Sequence, residues 1–399
     1  MRTFSSASHP GTPPSCSALK VMAIQTGDGL GLTEQIATQT STALSSWRLP
    51  SWFTTGHAGR KAWRSQKEAA TSFPTPTASP DNSERAPAGA SGSEEGHGIE
   101  RWNLRCWMFT ATGARHSNED RYHFSQSLPL TAPDLAGRAV SCFGVLDGHG
   151  GSSCAEWVAA KLEEAIVESY CWSRADVPEK DRLRMALEDS LMRLETEWTA
   201  LAAPAGDFTG ACVVLGLFCD GHLCVANIGD CRSVLVLPGM SAEGTILELS
   251  EPHRCIDPLE AARVSSQGGV VENGRMFGIL QPSRTMGDVD VKAHCPGALT
   301  AVPHISEASV PRAGDMGAAG AAGGKPGAPF VILASDGVWD TLAKGKVAGK
   351  CRKSLQHVRR RGLPARRRAP PAQEIVEAAV AAGTRDDATA VVVELRWQP

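Results

Sequence analysis

The feature that most constrains this chain is an apolar run that ends abruptly in charged and flexible residues. Residues 139–146 are apolar and suited to a β-strand, and Asp147, Gly148 and His149 follow them in the sequence VLDGHGG. A buried strand that ends in an acid and glycines leaves its tip free to bend around a ligand. We therefore expect Asp147 and His149 to lie at the end of a core strand, beside a binding site.

Further acidic residues follow the same pattern elsewhere in the chain. Asp336 comes directly after the run FVILAS, and Asp386 shortly precedes the strand-like run ATAVVV. Glu119 and Asp120 stand side by side in GARHSNEDRY. Acids repeated at strand ends predict carboxylates that converge on hard cations, since Mg²⁺ and Mn²⁺ prefer oxygen ligands.

Basic residues beside these acids favour phosphoryl chemistry. Arg115 lies four residues before Glu119, and a guanidinium group can hold phosphate oxygens in a bidentate manner. His149 is the nearest candidate to protonate a leaving oxygen. A metal-dependent phosphoesterase is therefore the leading interpretation. Calcium binding without catalysis is the main alternative, although the sequence contains no D-x-D-x-D-G loop.

The composition argues against several other classes. The chain has 399 residues and a net charge of −3, so it does not resemble a general nucleic-acid binder. None of its 12 cysteines forms a Cys-x-x-Cys pair, and we expect them to be buried and reduced rather than zinc ligands. No apolar run approaches the ~18–20 residues that a membrane span requires.

The chain divides into an N-terminal segment and a folded domain. Residues 1–103 are rich in Ser, Thr, Ala, Gly and Pro, and we predict that they are disordered because they bury too little apolar surface. Their first part has few acids, which is also compatible with an organelle transit peptide. The compartment therefore stays open between the cytoplasm or nucleus and a plastid or other organelle. Residues 104–399 are expected to fold, with a low-complexity loop at 313–329.

Hydrophobic periodicity in the folded region predicts strands in hairpins, with helices grouped between them. Two amphipathic helices follow residue 152, and their apolar stripes contain Cys154, Val158, Leu162, Ile166, Tyr170, Leu183, Leu187, Leu191, Leu194, Trp198 and Leu201. This arrangement is typical of an α+β sandwich of mostly antiparallel sheets with helices outside.

Local signals mark the turns and one helix start. The Asp-Gly pair at 220–221 predicts a hairpin, and the Gly-Asp pair at 229–230 predicts another tight turn between paired strands. Asp257 is the expected N-cap of a short helix, with Pro258 at its first position and Glu260 reaching back in a capping box.

Seven segments, in their wording and order, resemble the metal-dependent Ser/Thr protein phosphatases of type 2C. They are GARHSNEDRY, FGVLDGHGG, VANIGDCRSVL, PHRCIDPLEAARVSSQGGVV, GILQPSRTMGDVDVK, LASDGVWD and GTRDDATAVVVEL. The resemblance implies a four-layer α-β-β-α sandwich, with two mostly antiparallel sheets flanked by helices. It also implies that water activated by two Mg²⁺ or Mn²⁺ ions attacks phosphoserine and phosphothreonine in protein substrates directly. We expect a monomer that binds no nucleic acid.

The resemblance also assigns roles to single positions. Asp147 would bridge the two ions, and Gly148 would donate its carbonyl oxygen as a further ligand. Asp336 and Asp386 would complete the protein ligands of the first ion. A weaker third ion, found in some members, would use two further positions: Asp230 and Asp340.

The remaining assignments concern the second ion and the substrate. Glu119 and Asp120 would hold the second ion, directly or through water. Arg115 would bind the substrate phosphate, and His149 would serve as the general acid. The alternative is a pseudophosphatase that acts as a binding or scaffold module, but such proteins typically lose metal-binding acids, and these are present here.

Three departures from the family pattern stand out. Pro252 replaces a usual aspartate before the histidine of PHRCIDP, and Asp387 replaces a common asparagine. After SDGVWD, where the family has an amphipathic helix, residues 341–371 carry many lysines and arginines. We interpret this stretch as a solvated basic insertion or as the product of a faulty exon. Its arginine clusters are also compatible with nuclear localisation or an acidic partner.

Overall fold

The computed structural model describes residues 101–130, 135, 138–172, 177–239, 243–312, 327–361 and 369–398. Residues 1–100 of the predicted N-terminal segment lie outside the described residues, as do 313–326 of the low-complexity loop and 362–368 of the basic stretch. The first strand begins at Arg101 and pairs with the last strand. Residues 101–103, which the sequence placed in the N-terminal segment, therefore belong to the first sheet.

Five antiparallel strands form the first sheet: β1 (Arg101–Ala111), β6 (Arg232–Leu237), β7 (Thr245–Glu248), β12 (Phe330–Ala334) and β13 (Ala388–Gln398). Their order across the sheet is β1-β13-β12-β6-β7. The first and last strands of the domain are thus neighbours and pair along their whole length.

The second sheet is also antiparallel. It contains β2 (Arg121–Ser125), β3 (Ser141–His149), β4 (Gly210–Cys219), β5 (His222–Ile228), β10 (Met286–Gly287) and β11 (His304–Ser309). The order is β11-β5-β4-β3-β2, and β10 pairs with β4. A separate hairpin is formed by β8 (Val271–Glu272) and β9 (Arg275–Met276).

The sequence predicts tight turns at two pairs of Gly and Asp residues, and the structure confirms only the first. Asp220 and Gly221 have φ angles of 43° and 84° and join β4 to β5, which confirms the hairpin. The second prediction, a tight turn between paired strands at 229–230, is wrong. Strand β5 belongs to the second sheet and β6 to the first, so the chain crosses between the sheets at this turn.

A hydrophobic core fills the space between the sheets. The second sheet contributes Phe143, Val145, Val214, Phe218 and Val225, and the first contributes Leu235, Val331, Leu333, Val391 and Val393. Along β3, Phe143 and Val145 face this core, while Cys142 and Leu146 face the opposite side, as a strand period of two requires. Because both faces of β3 are covered, its sequence is apolar throughout.

Helices cover the outer face of each sheet. Helices α1 (Ser153–Trp172) and α2 (Glu179–Ala205) pack on the second sheet. Their apolar stripes are buried as predicted, except that Leu201 is 54% exposed. The first sheet is covered by α6 (Lys344–Arg361) and α7 (Pro371–Ala381). The predicted four-layer α-β-β-α sandwich is confirmed. Among the described helices, none is long and apolar enough to cross a membrane.

Helix α6 corrects the interpretation of residues 341–371 as a solvated insertion. Val347, Ala348, Cys351 and Leu355 form an apolar stripe that is buried in the core beneath the first sheet. Burial of each large aliphatic side chain contributes about 1.5–3 kcal/mol, so this helix is part of the folded domain. The prediction was wrong because the many lysines and arginines dominate the composition of this stretch. The narrow apolar stripe at helical spacing is difficult to recognise among them.

The remaining short helices are α3 (Pro258–Ser266), α4 (Val289–His294) and α5 (Asp336–Trp339). Asp257 caps α3 as predicted, since its carboxylate accepts hydrogen bonds from the backbone N–H groups of Leu259 and Glu260. The predicted capping box is wrong, because the Glu260 carboxylate instead accepts hydrogen bonds from Arg263 and Arg284.

Candidate metal centre

Three aspartates from separate strand ends meet at one edge of the sandwich. Asp147 lies near the end of β3, Asp230 in the crossing between β5 and β6, and Asp336 directly after β12 at the start of α5. One carboxylate oxygen from each lies within 4.8 Å of the other two. We call these three residues the acid cluster. The sequence predicted Asp147 and Asp336 in one site, and the structure adds Asp230, which had been assigned to a third ion.

The sheet register explains why these acids meet. In the first sheet, Ala334 of β12 lies opposite Arg232 of β6. Asp230 comes two residues before Arg232 and Asp336 two residues after Ala334, so both acids lie at the same end of this antiparallel strand pair. In the second sheet, Asp147 lies opposite Cys212. The crossing turn packs on that residue, because a Cβ atom at Gly229 would lie only 2.3 Å from Cys212 Sγ. Glycine therefore permits the close approach that brings Asp230 to Asp147.

A buried histidine fixes the crossing turn. The N–H of Gly229 donates a hydrogen bond to Nδ1 of His253 at 3.2 Å, and the N–H of His253 donates to the Gly229 carbonyl at 2.9 Å. Burial lowers the pKa of His253 to about 3, so the ring is neutral and its Nδ1 remains an acceptor near neutral pH. The sequence analysis gave this histidine no role.

A second pair of acids is brought to the site by contacts between two loops. The Asp387 carboxylate accepts hydrogen bonds from the backbone N–H groups of Gly113 at 3.3 Å and Glu119 at 2.8 Å. A Cβ atom at Gly113 would lie 2.1 Å from the carbonyl oxygen of Asp386. The loop that carries Glu119 and Asp120 is therefore held against the loop that carries Asp386.

Asp387 is the residue that replaces a common asparagine, and its chemistry suits this position. Each of its two carboxylate oxygens accepts one backbone hydrogen bond, whereas an amide side chain has only one acceptor oxygen. The substitution thus strengthens the link between the loops and removes no metal-ligand candidate.

Asp120 is buried and only partly satisfied. Its Oδ2 accepts a hydrogen bond from the Ser335 hydroxyl at 2.9 Å. Its Oδ1 is buried without a hydrogen-bond partner among the described residues. A buried carboxylate oxygen without a partner is costly, and a cation or an ordered water would remove that cost.

Burial and mutual repulsion raise the pKa values of these acids. The pKa of Asp147 lies well above its usual range because of burial and then because of neighbouring carboxylates, Asp120 foremost. The pKa of Asp336 is raised by burial and then by Asp230 and Asp386. Burial raises the pKa of Asp120 to about 7. Divalent cations would offset this repulsion, which is a physical reason to place them here.

Gly148 lies where a side chain could not fit. A Cβ atom at this position would lie 2.4 Å from the Glu119 carbonyl oxygen. The end of β3 therefore passes directly beside the loop that carries the second pair of acids. Its carbonyl remains a predicted metal ligand.

Arg115 lies at the exposed rim of the site. One terminal nitrogen is 2.6 Å from an Asp386 carboxylate oxygen, and the other is 3.8 Å from Glu119. The Arg115 side chain is 44% exposed, so its guanidinium group is anchored by acids yet open to solvent. This position suits a group that meets an anionic ligand arriving from outside.

His149 is held by an aspartate that sequence reasoning missed. Its Nε2 lies 2.7 Å from Oδ2 of Asp288, which is fully buried, adopts φ 49° and directly precedes α4. Gly210 makes room for this pair, since a Cβ there would lie 2.1 Å from Asp288 Oδ2. The segment TMGDVDVK was part of the resemblance, but nothing in its spacing linked it to a histidine 139 residues away.

Asp340, the other predicted ligand of a third ion, contacts an arginine instead of the acid cluster. Its Oδ2 accepts a hydrogen bond from Arg254 at 2.9 Å. The guanidinium group of Arg254 also donates hydrogen bonds to Asp230 and Asp336. Arg254 had no role in the sequence analysis.

The donor set of the acid cluster fits a hard divalent cation. Its side chains offer carboxylate oxygens, which suit Mg²⁺ and Mn²⁺ better than zinc, whose structural sites favour sulfur and nitrogen. Carboxylates gathered beside an exposed arginine and a histidine are features that metal-dependent phosphoester hydrolases use. The fold and the site together define that class of enzyme.

Comparison with known proteins identifies the family. The family model described as "Protein phosphatase 2C" matches residues 105–388, and the chain belongs to this family of metal-dependent Ser/Thr protein phosphatases. It is similar to "Probable protein phosphatase 2C 54" of Oryza sativa subsp. japonica, with 29% identity over 303 residues, 74% of each chain. It is also similar to "Probable protein phosphatase 2C 2" of Arabidopsis thaliana, with 27% identity over 76% of this chain and 70% of that relative.

Solved structures share the fold. A serine-threonine phosphatase 2C from Toxoplasma gondii superposes with a TM-score of 0.57 and 23% identity, over 73% of this chain and 95% of that one. The resemblance recognised in the sequence and the sandwich fold are thereby confirmed, and the substrates of this family are phosphoproteins.

Metal affinity should rise between pH 6 and pH 8. The pKa of Asp120 is about 7 and that of Asp147 is raised well above its usual range, so protons compete with cations here. Without metal the sign is reversed, because a carboxyl with a raised folded pKa stabilises the fold at low pH and loses that contribution as pH rises through it. Calorimetric Mn²⁺ titrations should show affinity rising about tenfold per pH unit while one carboxyl titrates. An affinity independent of pH would contradict the raised pKa values.

Proposed function

We propose that this chain hydrolyses phosphoserine and phosphothreonine in protein substrates, with two Mg²⁺ or Mn²⁺ ions held at the acid cluster and its neighbours. The observation that carries the proposal is the approach of three strand-end carboxylates to within 4.8 Å of one another. The family membership supplies the reaction class. The two-ion count and the roles of single residues belong to the proposal.

The acids would divide between the two ions around Asp147. The pKa of Asp147 is raised both by Asp120 and by Asp336, which indicates that its carboxylate lies between the two groups of acids. Asp336 and Asp386 would serve one ion, while Glu119, Asp120 and the carbonyl of Gly148 would serve the other. When bound, the two ions lower the pKa of water and neutralise charge on the phosphoryl oxygens.

Arg115 would orient the substrate phosphate. Its anchorage to Asp386 fixes the guanidinium plane beside the acids, and its exposed N–H groups can hold two phosphate oxygens at once. A lysine has no planar fork and cannot reproduce this geometry.

His149 would protonate the departing serine or threonine oxygen. Because its Nε2 is engaged by Asp288, its Nδ1 is the nitrogen left to face the substrate. The hydrogen bond to the Asp288 carboxylate holds the ring in one orientation. After donating from Nδ1, the ring would keep its proton on Nε2 towards Asp288.

The test is turnover of a phosphothreonine peptide by the full-length chain. After treatment with EDTA the protein should be inactive, and Mn²⁺ or Mg²⁺ should restore activity. Calorimetry on the same sample should report metal binding. If Mn²⁺ binds while no phosphopeptide is hydrolysed, the chain is a binding module with the phosphatase fold, and the proposal fails.

A further inference from the structure

Arg254 lies at the flank of the acid cluster and contacts three carboxylates. Its Nε is 2.9 Å from Oδ2 of Asp230, and one terminal nitrogen is 3.1 Å from Asp336 and 2.9 Å from Asp340. The Arg254 side chain is only 15% exposed, and Asp230 is 4% exposed. A single guanidinium group thus neutralises one side of the cluster.

The backbone holds Arg254 in this position before any ion binds. Arg254 forms a β-bridge with Pro282, and its carbonyl accepts a hydrogen bond from the N–H of Asp257 at 2.9 Å. The preceding His253 is bonded to the crossing turn at Gly229. The arginine and the turn that carries Asp230 are therefore parts of one hydrogen-bonded unit.

The contacts of Arg254 overlap with the ligands that a third cation would need. Such an ion would require oxygens of Asp230, Asp336 and Asp340, and each of these carboxylates already accepts a hydrogen bond from the guanidinium group. An arginine stays charged at any physiological pH, so a divalent ion could enter only by displacing a like charge.

We infer that Arg254 is a built-in cation that takes the place of a third metal ion and restricts this chain to two ions. The inference rests on the proposed two-ion centre. It also gives Arg254 a positioning role, because the guanidinium group donates a hydrogen bond to one carboxylate oxygen of Asp336. The chain would therefore need no third ion to keep its outer acids neutralised.

The experiment counts bound Mn²⁺ rather than measuring turnover. The full-length protein is freed of metal and dialysed against increasing Mn²⁺, and bound metal is determined by mass spectrometry. Wild type should bind two ions. Arg254→Met should bind a third, at least about tenfold tighter than any third ion in wild type. The matched control is Arg193→Met, which removes an exposed arginine of α2 that pairs with Glu168 and Glu197. It should bind two.

A double variant locates the gained ion. Adding Asp340→Asn to Arg254→Met should return the count to two, because one of the three required carboxylates is lost. If Arg254→Met does not fold, Arg254→Lys retains the charge but cannot reach all three acids, and it should bind a third ion more tightly than wild type. Without metal, the melting temperature of Arg254→Met should fall below that of wild type, and Mn²⁺ should raise it more.

Two results would overturn the inference: three ions in wild type, or an unchanged count in both Arg254 variants. The outcome is separate from that of the proposed function. Two bound ions without hydrolysis would refute the phosphatase and leave the inference standing. Three bound ions in wild type with full hydrolysis would refute the inference and leave the proposed phosphatase activity standing.

Discussion

Replacing Asp147 with asparagine should abolish phosphatase turnover while making the metal-free protein more stable. The carboxylate is the proposed bridge between two ions, so kcat/KM should fall by about 10³-fold or more, beyond the loss of one electrostatic contact. The stability gain has the opposite origin. The pKa of Asp147 is raised by burial and by four neighbouring acids, so its ionised form is unfavourable without metal. A neutral amide removes that repulsion.

The stability part of this prediction is measured by denaturant unfolding in EDTA at pH 8. Asp147→Asn should gain about 1–3 kcal/mol, the usual scale for a buried group without compensation. Mn²⁺ should stabilise wild type strongly and the variant little, since only binding to the folded state shifts stability. The control is Asp189→Asn, which removes an exposed acid of α2. It should change neither activity nor the response to metal. A variant less stable than wild type in EDTA would contradict the proposed repulsion.

Replacing His149 with asparagine should slow hydrolysis in a manner that depends on the leaving group. A serine or threonine alkoxide needs a proton as it departs, so loss of the general acid should lower kcat by about 10²–10⁴-fold on a phosphothreonine peptide. The nitrophenolate of p-nitrophenyl phosphate departs without a proton, and the same variant should lose much less activity on this substrate.

Asp288→Asn gives the matched test of the pair. The amide keeps the size of the carboxylate next to His149 but replaces the charged partner of its Nε2 with a neutral one. We expect the same selective loss on the phosphopeptide. His222→Asn, at the start of β5 with Glu307 of β11 as partner, serves as the control. Equal losses on both substrates would show that His149 does not act as the acid.

Local sequence patterns predicted most of the fold. The apolar run of β3 and the apolar stripes of α1 and α2 are each visible within a short stretch of sequence. Each element could therefore be predicted from its own residues alone. The hairpin at 220–221 is equally local. Helix α6 was missed because its four buried apolar positions stand among many lysines and arginines, which dominate the composition. Leu201 fits the helical spacing of α2 but is exposed, although Trp198 and Ala202 on the same helix are buried.

The site could be predicted in part, for a related reason. Asp147 and Asp336, which the structure brings together, could be predicted because each stands at the end of a recognisable strand. Contacts between distant segments leave no such signal. The pairing of His149 with Asp288 depends on the position of α4.

Two further features of the site depend on where the chain crosses between the sheets. The Gly-Asp pair at 229–230 predicts a hairpin, but the chain passes from the second sheet to the first at this turn. This crossing brings Asp230 beside Asp147. Arg254 reaches three acids only because its segment is bonded to that turn. Such contacts follow from the assembled fold and not from spacing along the chain.

The most direct test of the central claim is a crystal structure of the full-length protein grown with Mn²⁺, with anomalous scattering used to locate the ions. The account predicts two peaks ~3.5–4 Å apart at the edge of the sandwich. A carboxylate oxygen of Asp147 should contact both, with Asp336 and Asp386 on one side and Asp120 on the other. Absence of anomalous density at these acids, or a single ion that does not contact Asp147, would contradict it.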